Sequence, residues 1–150
     1  MATGSRVDPL PVSSFYLDIS GQITGTFREC TGLGSESEIM EHKAVLGSGQ
    51  VVIYKIPGNL KYDNIVLKRG VTDDLQVWDW RKKVEDGKVE EARMSGTITM
   101  FNQENTPVAE WTFDNAWPVK VSGPTLNAGG NEIAVEELHI AHEGMARNKV

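Results

Sequence analysis

The residues most able to do chemistry lie near the C-terminus, where His139, His142 and Glu143 are close together in the sequence. Histidine and carboxylate side chains bind metal ions or act as general bases, and metal-binding helices carry histidines at i and i+4. Here the two histidines are at i and i+3 on a predicted strand, which directs their rings to opposite faces. The sequence therefore predicts no metal site at these residues.

Other candidates for catalysis or cofactor binding also lack the required spacing. The glycine pairs at 32/34 and 47/49 are not followed by the lysine or third glycine of a phosphate-binding loop. Glu136 and Glu137 are adjacent on a predicted strand, so their carboxylates diverge and make a poor acid/base pair. The sequence predicts no catalytic residue and no cofactor.

Composition limits the classes of protein further. The net charge of −6 argues against a basic face for nucleic acid, so no specific nucleic-acid binding is expected. Cys30 is the single cysteine, which rules out an intrachain disulfide framework. No apolar run predicts a membrane anchor and no secretory signal begins the sequence, so synthesis in the cytoplasm is expected.

Alternating apolar and polar residues predict that strands dominate the chain. Phe15, Leu17 and Ile19 begin a pattern that indicates about eight strands, with turns predicted at 57–58 and 114–115 and a short strand at 37–41. We predict a mainly β fold: two packed antiparallel sheets or a barrel, flanked by one helix. The predicted organisation is an N-terminal flexible arm at 1–14, a β domain at 15–144 and a frayed tail at 145–150.

The predicted helix spans about residues 73–86. Asp73 is expected to cap it with Gln76 in a capping box, and Gly87 is expected to end it. Apolar side chains recur at helical spacing, which predicts a face packed on the sheet. The residues of this face are Leu75, Val77, Trp78, Trp80 and Val84.

An apolar tip lies between two predicted strands. Ala44, Val45 and Leu46 are followed by Gly47, Ser48 and Gly49. Two interpretations stay open: the tip folds back on its own domain, or it protrudes and packs against another molecule.

Several segments together resemble one family. PGNLKYDNIVLKRG, the WDW of the helix, WTFDNAWPVKVSGPTLNA and NEIAVEELHIAHEG resemble the inner tube proteins of contractile injection systems and contractile phage tails, which are related to the type VI secretion tube. FRECTGLGSESEIMEH resembles the early segment of the family, although Cys30 stands where a small apolar residue is expected. The resemblance covers roughly Phe15 to Gly144.

The resemblance implies a structural protein that forms hexameric rings, stacked into a hollow tube inside a contractile sheath. It implies that Ala44 to Gly49 reach the adjacent ring and that Thr97 and Thr99 line the lumen. The expected partners are further copies of the chain, the sheath protein, baseplate or hub and tube-terminating proteins, and an effector or DNA in the lumen. It also implies assembly in a bacterial or archaeal cytoplasm, without a signal peptide, into an extracellular or virion-like particle.

Other functions remain open at this stage. Within the family, the alternative to an injection particle is a phage tail tube that conducts DNA. Outside it, exposed coplanar tryptophans would make a monomeric carbohydrate-binding β-module, and His139 or His142 with Glu143 would make a small hydrolase.

Overall fold

Strands make up most of the computed structural model, which describes residues 14–124 and 134–149. The predicted arm at 1–14, apart from Ser14, and the C-terminal Val150 lie outside these residues. The elements in chain order are β1 (Ser14–Ile19), β2 (Ile23–Phe27), β3 (Glu29–Thr31), β4 (Ser35–Val45), β5 (Val51–Tyr62), β6 (Ile65–Gly70), α1 (Gln76–Glu85), α2 (Val89–Ala92), β7 (Met94–Phe101), β8 (Pro107–Ser122), β9 (Val135–Ala141) and β10 (Gly144–Asn148).

Eight strands pair antiparallel in the order β2-β1-β7-β8-β9-β6-β3, with β10 also paired to β8. The 16-residue β8 pairs with β7 and β10 through its first part and with β9 through its last part. It is therefore shared by two sheets, and the predicted mainly β fold with two antiparallel sheets is confirmed. Among the described residues β2 and β3 do not pair with each other, so strand pairing does not close a barrel.

The turn predicted at 114–115 is wrong, because both residues lie inside β8. Asn115 has φ of 51°, in the left-handed region that asparagine tolerates better than most residues. The strand register also shifts on either side of this point, against β7 and against β9. The chain therefore bends within the single strand β8 and does not turn between two strands. The bend lets β8 pair with strands of both sheets.

The core lies between the two sheets and under α1. Alternate residues of the central strands point into it, with Leu17, Ile98 and Phe113 almost completely buried. The opposite faces of the same strands carry polar residues, as expected for antiparallel strands with one buried side.

Helix α1 begins three residues later than predicted. Asp74, and not Asp73, accepts a hydrogen bond from the Gln76 backbone N–H (2.9 Å). No capping box forms, because the Gln76 side chain instead accepts a hydrogen bond from the Thr24 backbone N–H in β2 (2.9 Å). Gly87 ends the helix with φ of 81°. The short α2 was not predicted, since four residues carry too little periodicity to detect.

The strand predicted at 37–41 is confirmed but is longer than predicted, as part of the 11-residue β4. The turn predicted at Pro57 and Gly58 is wrong, because both residues lie inside the 12-residue β5. Their backbone is tolerated because the β4–β5 register shifts there, and proline is allowed in strands at such irregularities. The tail predicted at 145–150 instead forms most of β10, where Met145 pairs with Phe113.

Candidate assembly surfaces

Strands β4 and β5 form a long hairpin, residues 35–62. We call this hairpin the arm; it is distinct from the predicted N-terminal arm at 1–14. Within the described residues its two strands are hydrogen-bonded to each other and to no other strand. Its large apolar side chains are nevertheless exposed, and Val45 is 72% exposed. A contiguous apolar surface of this kind is typical of protein–protein interfaces. The exposed apolar residues of the arm are Ile39, Met40, Val45, Leu46, Val51, Ile53, Tyr54, Ile56 and Leu60.

The two faces of the arm differ in chemistry. Cross-strand partners share a face, so the register fixes the composition of each. The first face, which we call the apolar face, carries the pairs Met40–Ile56, His42–Tyr54 and Ala44–Val52. The other face carries Glu41–Lys55, Lys43–Ile53 and Val45–Val51. Charges are therefore concentrated on one side of the arm.

The tip of the arm is a tight turn. The Leu46 N–H donates to the Gln50 carbonyl (2.9 Å), and the Gly49 N–H donates to the Leu46 carbonyl (2.8 Å). Gly49 has φ of 85°, a conformation that most other residues adopt only with strain. Val45, Leu46 and Gly47 to Gly49 are exposed and Ala44 is partly buried. The tip therefore lies at the far end of the arm and does not fold back on the domain.

A second surface is the polar face of the sheet containing β1, β2, β7, β8 and β10. The strand registers align its side chains in two rows that run across the sheet, and both rows include Asp18 or Glu110 but no lysine or arginine. Thr97 and Thr99 occupy the β7 position of these rows, on the side of the sheet opposite the core residue Ile98. The first row is Thr24, Asp18, Thr97, Thr112 and Ala146, and the second is Thr26, Tyr16, Thr99, Glu110 and Asn148.

The residues predicted for the packed face of α1 have different environments. Val77 and Trp80 are buried, and the Trp80 indole donates to the Ala92 carbonyl (2.7 Å). Val84 is partly buried against the core. Leu75, in contrast, is 61% exposed, because it precedes the first turn of the helix and points away from the sheet.

Trp78 lies at the edge of the helix interface and takes part in a buried polar cluster. Its indole N–H donates to Glu136 Oε2 (3.0 Å), and Arg69 Nε donates to Glu136 Oε1 (2.7 Å). The Arg69 guanidinium also lies over the Phe27 ring (5.0 Å to the centroid). Gly25 makes room for it, since an added Cβ would lie 2.8 Å from Arg69 Nη1. The cluster thus links α1, β2, β6 and β9.

The sequence did not reveal this cluster. Lys68 and Arg69 are adjacent cationic residues, but alternation along β6 places Lys68 outside and Arg69 inside. The same alternation along β9 buries Glu136 and leaves Glu137 partly exposed. The available signal was the in-register pairing of Arg69 with Glu136, which depends on knowing that β6 and β9 are neighbours.

The two C-terminal histidines are not brought together. His139 Nε2 lies 3.1 Å from Glu137 Oε2, and this hydrogen bond, followed by nearby Lys68, holds the pKa of Glu137 below its usual range. His142 packs against Tyr62 and Phe113 instead. Within 14–124 and 134–149, no group of three or more histidine, cysteine or acidic residues is placed to hold a metal ion.

Cys30 is partly buried in β3, and burial raises the pKa of its thiol to about 12. A thiol with such a pKa is protonated at neutral pH and is a poor nucleophile. No helix among the described residues is both long and apolar enough to cross a membrane.

Comparison with known proteins identifies the class. The family model described as T4-like virus tail tube protein gp19 matches residues 11–146. The chain therefore belongs to that family of tail tube proteins. No curated protein sequence matches it.

Solved structures agree with the family. One is a chain of the extended-state sheath–tube complex of the extracellular contractile injection system PVC, with 26% identity, TM-score 0.78, and coverage of 95% of this chain and 93% of that one. Another is the tube-terminating cap of the anti-feeding prophage, with 22% identity, TM-score 0.81, and coverage of 99% and 97%. The fold also matches Hcp1 from Flavobacterium johnsoniae, with 14% identity, TM-score 0.55, and coverage of 91% and 96%.

These relatives define the role of the chain. It is a structural tube protein of the kind found in contractile injection systems and phage tails. Solved structures similar to it include chains of sheath–tube, tube-terminator and baseplate assemblies.

Proposed function

We propose that this chain forms stacked hexameric rings, which build the hollow inner tube of a contractile injection particle. Contraction of a surrounding sheath drives the tube through a target envelope, and the lumen houses or conducts cargo. The chain itself performs no catalysis. The observation that carries the proposal is the arm, whose apolar side chains on both strands are exposed in the single chain and require a partner.

A ring requires that each copy present two different patches to its neighbours. Such heterologous interfaces form a closed ring when the rotation between successive copies brings the last copy into contact with the first. Strands β2 and β10 lie at opposite edges of one sheet, and among the described residues each pairs on one side. Open strand edges in a monomer favour pairing with another chain. Edge pairing between neighbours would thus extend this sheet around the ring.

The arm would provide the contacts between rings. Its tip, Ala44 to Gly49, carries apolar residues at the end farthest from the sheets, where an adjacent ring would meet them. Any tip residue whose backbone becomes further ordered on docking costs roughly 1–2 kcal/mol. This cost would discourage spontaneous polymerisation and favour growth from a baseplate.

The polar face with Thr97 and Thr99 would line the lumen. Its two rows carry the carboxylates of Asp18 and Glu110 and no cationic side chain. Repeated around a ring, these carboxylates would repel polyanions, and hydroxyls would offer few apolar contacts. Nucleic acid or an acidic effector would therefore pass without binding.

A phage tail tube that conducts DNA is the second candidate. The family model, described for the tail tube of a T4-like virus, favours it. Similarity to the PVC chain favours the injection particle. The two differ in cargo and not in the subunit, so DNA or protein recovered from intact particles distinguishes them.

The proposed role of the arm tip is tested by a double variant, Gly47→Pro with Gly49→Pro. Proline cannot adopt the φ of 85° at position 49, and it removes the N–H that donates to Leu46. We expect the variant subunit to fold but not to extend tubes from baseplates, as seen by negative-stain microscopy. Normal elongation would contradict the stacking role, while a Ser48→Ala variant serves as the control that elongates.

A further inference from the structure

The imidazole of His142 lies where the arm joins the body of the protein. His142 occupies the break between β9, which ends at Ala141, and β10, which begins at Gly144. Its ring is 5.3 Å from the ring of Tyr62 and 6.0 Å from that of Phe113, measured between centroids. Tyr62 is the last residue of β5, and Phe113 is in the core. His142 therefore fills the space between the arm and the core, and we call its packed ring the His142 wedge.

The contacts at the base of the arm are few. The Asp63 N–H donates to the Gly34 carbonyl (3.3 Å), which joins the two chain segments leaving the arm. Gly32, with φ of 83°, packs so closely on the Asn64 carbonyl that an added Cβ would overlap it. Because the arm strands pair with no other described strand, these contacts and the His142 wedge set the direction of the arm.

The environment of His142 suits a neutral ring. Both ring nitrogens are buried, and neither forms a hydrogen bond of good geometry with a described residue. Burial lowers the pKa of His142, and the nearby backbone of Gly144 and Asp63 and the Asp114 carboxylate offset this only in part. The neighbouring Glu143 carboxylate is not directed at the ring, since it accepts a hydrogen bond from the Asn115 side chain (2.7 Å).

We propose that His142 is an acid-sensitive latch that holds the base of the arm against the body. The neutral ring packs between Tyr62 and Phe113. A protonated ring must reach water or a carboxylate. It then leaves its place between Tyr62 and Phe113, and the arm is free to change direction. This latch is a property of the single subunit and goes beyond the tube function.

The direction of the pH effect follows from linkage. A histidine in an unfolded or opened segment titrates near pH ~6.5. Because the packed state binds the proton less readily, its stability is complete above that pH and falls as pH drops toward the lower pKa of the packed ring. At pH 5.5 the opened state gains up to about tenfold in population relative to neutral pH.

Hydrogen–deuterium exchange on the full chain tests the latch. At pH 5.5 compared with 7.5, after correction for intrinsic exchange rates, we expect amides of residues 60–64 to lose about tenfold in protection. Amides of β7 should keep theirs. In His142→Phe, which fills the wedge without titrating, the acid-induced loss should vanish, while a His139→Gln control should retain it.

Several results would overturn the proposal. These are an equal acid-induced loss in His142→Phe, no loss in the wild type, and a uniform loss that includes β7. If His142→Phe does not fold, NMR titration of the wild-type histidine rings decides. A His142 midpoint below about 6.5 supports the latch, and a midpoint at or above that value rejects it.

Discussion

At the level of single residues, Glu136 makes two contacts that join α1 to the sheets. Its carboxylate accepts hydrogen bonds from Arg69 and from the Trp78 indole, and its side chain and that of Arg69 are almost fully buried. A buried ion pair is not strong evidence of stability, because desolvation offsets much of the attraction. Removing one partner is nevertheless costly, since the other charge stays buried.

We therefore predict that Glu136→Gln lowers the free energy of unfolding by about 3 kcal/mol. The Arg69 guanidinium would lose its counter-charge, and one Nη already lacks a partner among the described residues. Urea denaturation followed by tryptophan fluorescence measures the effect. The matched control is Glu137→Gln, which changes the partly exposed neighbouring carboxylate and should cost less than about 1 kcal/mol. Equal losses in the two variants would show that burial of the pair is unimportant.

At the level of elements, the arm is the part that we propose acts in assembly and not in folding. Its apolar face pairs Met40 with Ile56, and both side chains are exposed in the subunit. Substitutions there remove no core contact, so the stability of the monomer should change little. If the face is covered in a tube, buried carboxylates would prevent that contact.

We expect the double variant Met40→Glu with Ile56→Glu to keep the thermal unfolding midpoint of the wild type but to form no tubes. The control is Glu41→Gln with Lys55→Gln on the opposite face, which should assemble. Differential scanning calorimetry and electron microscopy provide the two readouts. Tubes of normal length from the glutamate variant would exclude this face from assembly.

Local sequence patterns predicted some elements of the fold and missed others for physical reasons. Alternation in β1 and helical spacing around Trp80 depend on neighbouring residues, and both elements were predicted. Pro57–Gly58 and Asp114–Asn115 are turn-forming pairs, yet long strands pass through them because cross-strand pairing and bulges outweigh local preference. The length of the arm could not be predicted, since its exposed apolar residues resemble a core strand in sequence.

The lumen-lining role expected of Thr97 and Thr99 stays a prediction. Asp18 and Glu110 could be assigned to the same polar face only once the order β1-β7-β8 was known. The Arg69–Glu136 pair and the His142 wedge connect residues far apart in the chain. Contacts of this kind depend on the sheet order, which a single sequence does not contain.

At the level of the whole molecule, the parts have separate tasks. The two sheets and α1 form the body, β2 and β10 each pair with one strand among the residues that the structure describes, and the arm has an exposed apolar surface. The acidic polar face is on one sheet, consistent with the net charge of −6. Available strand edges and an exposed arm are the features on which we base the proposal that copies of this chain associate with one another.

Electron cryomicroscopy of the purified chain, incubated with the baseplate of its own particle, tests this account most directly. We predict hollow tubes of stacked six-membered rings, with Thr97, Thr99, Asp18 and Glu110 facing the lumen and the arm packed between rings. A chain that remains monomeric on its baseplate, or a tube whose lumen is lined by another face, would contradict it.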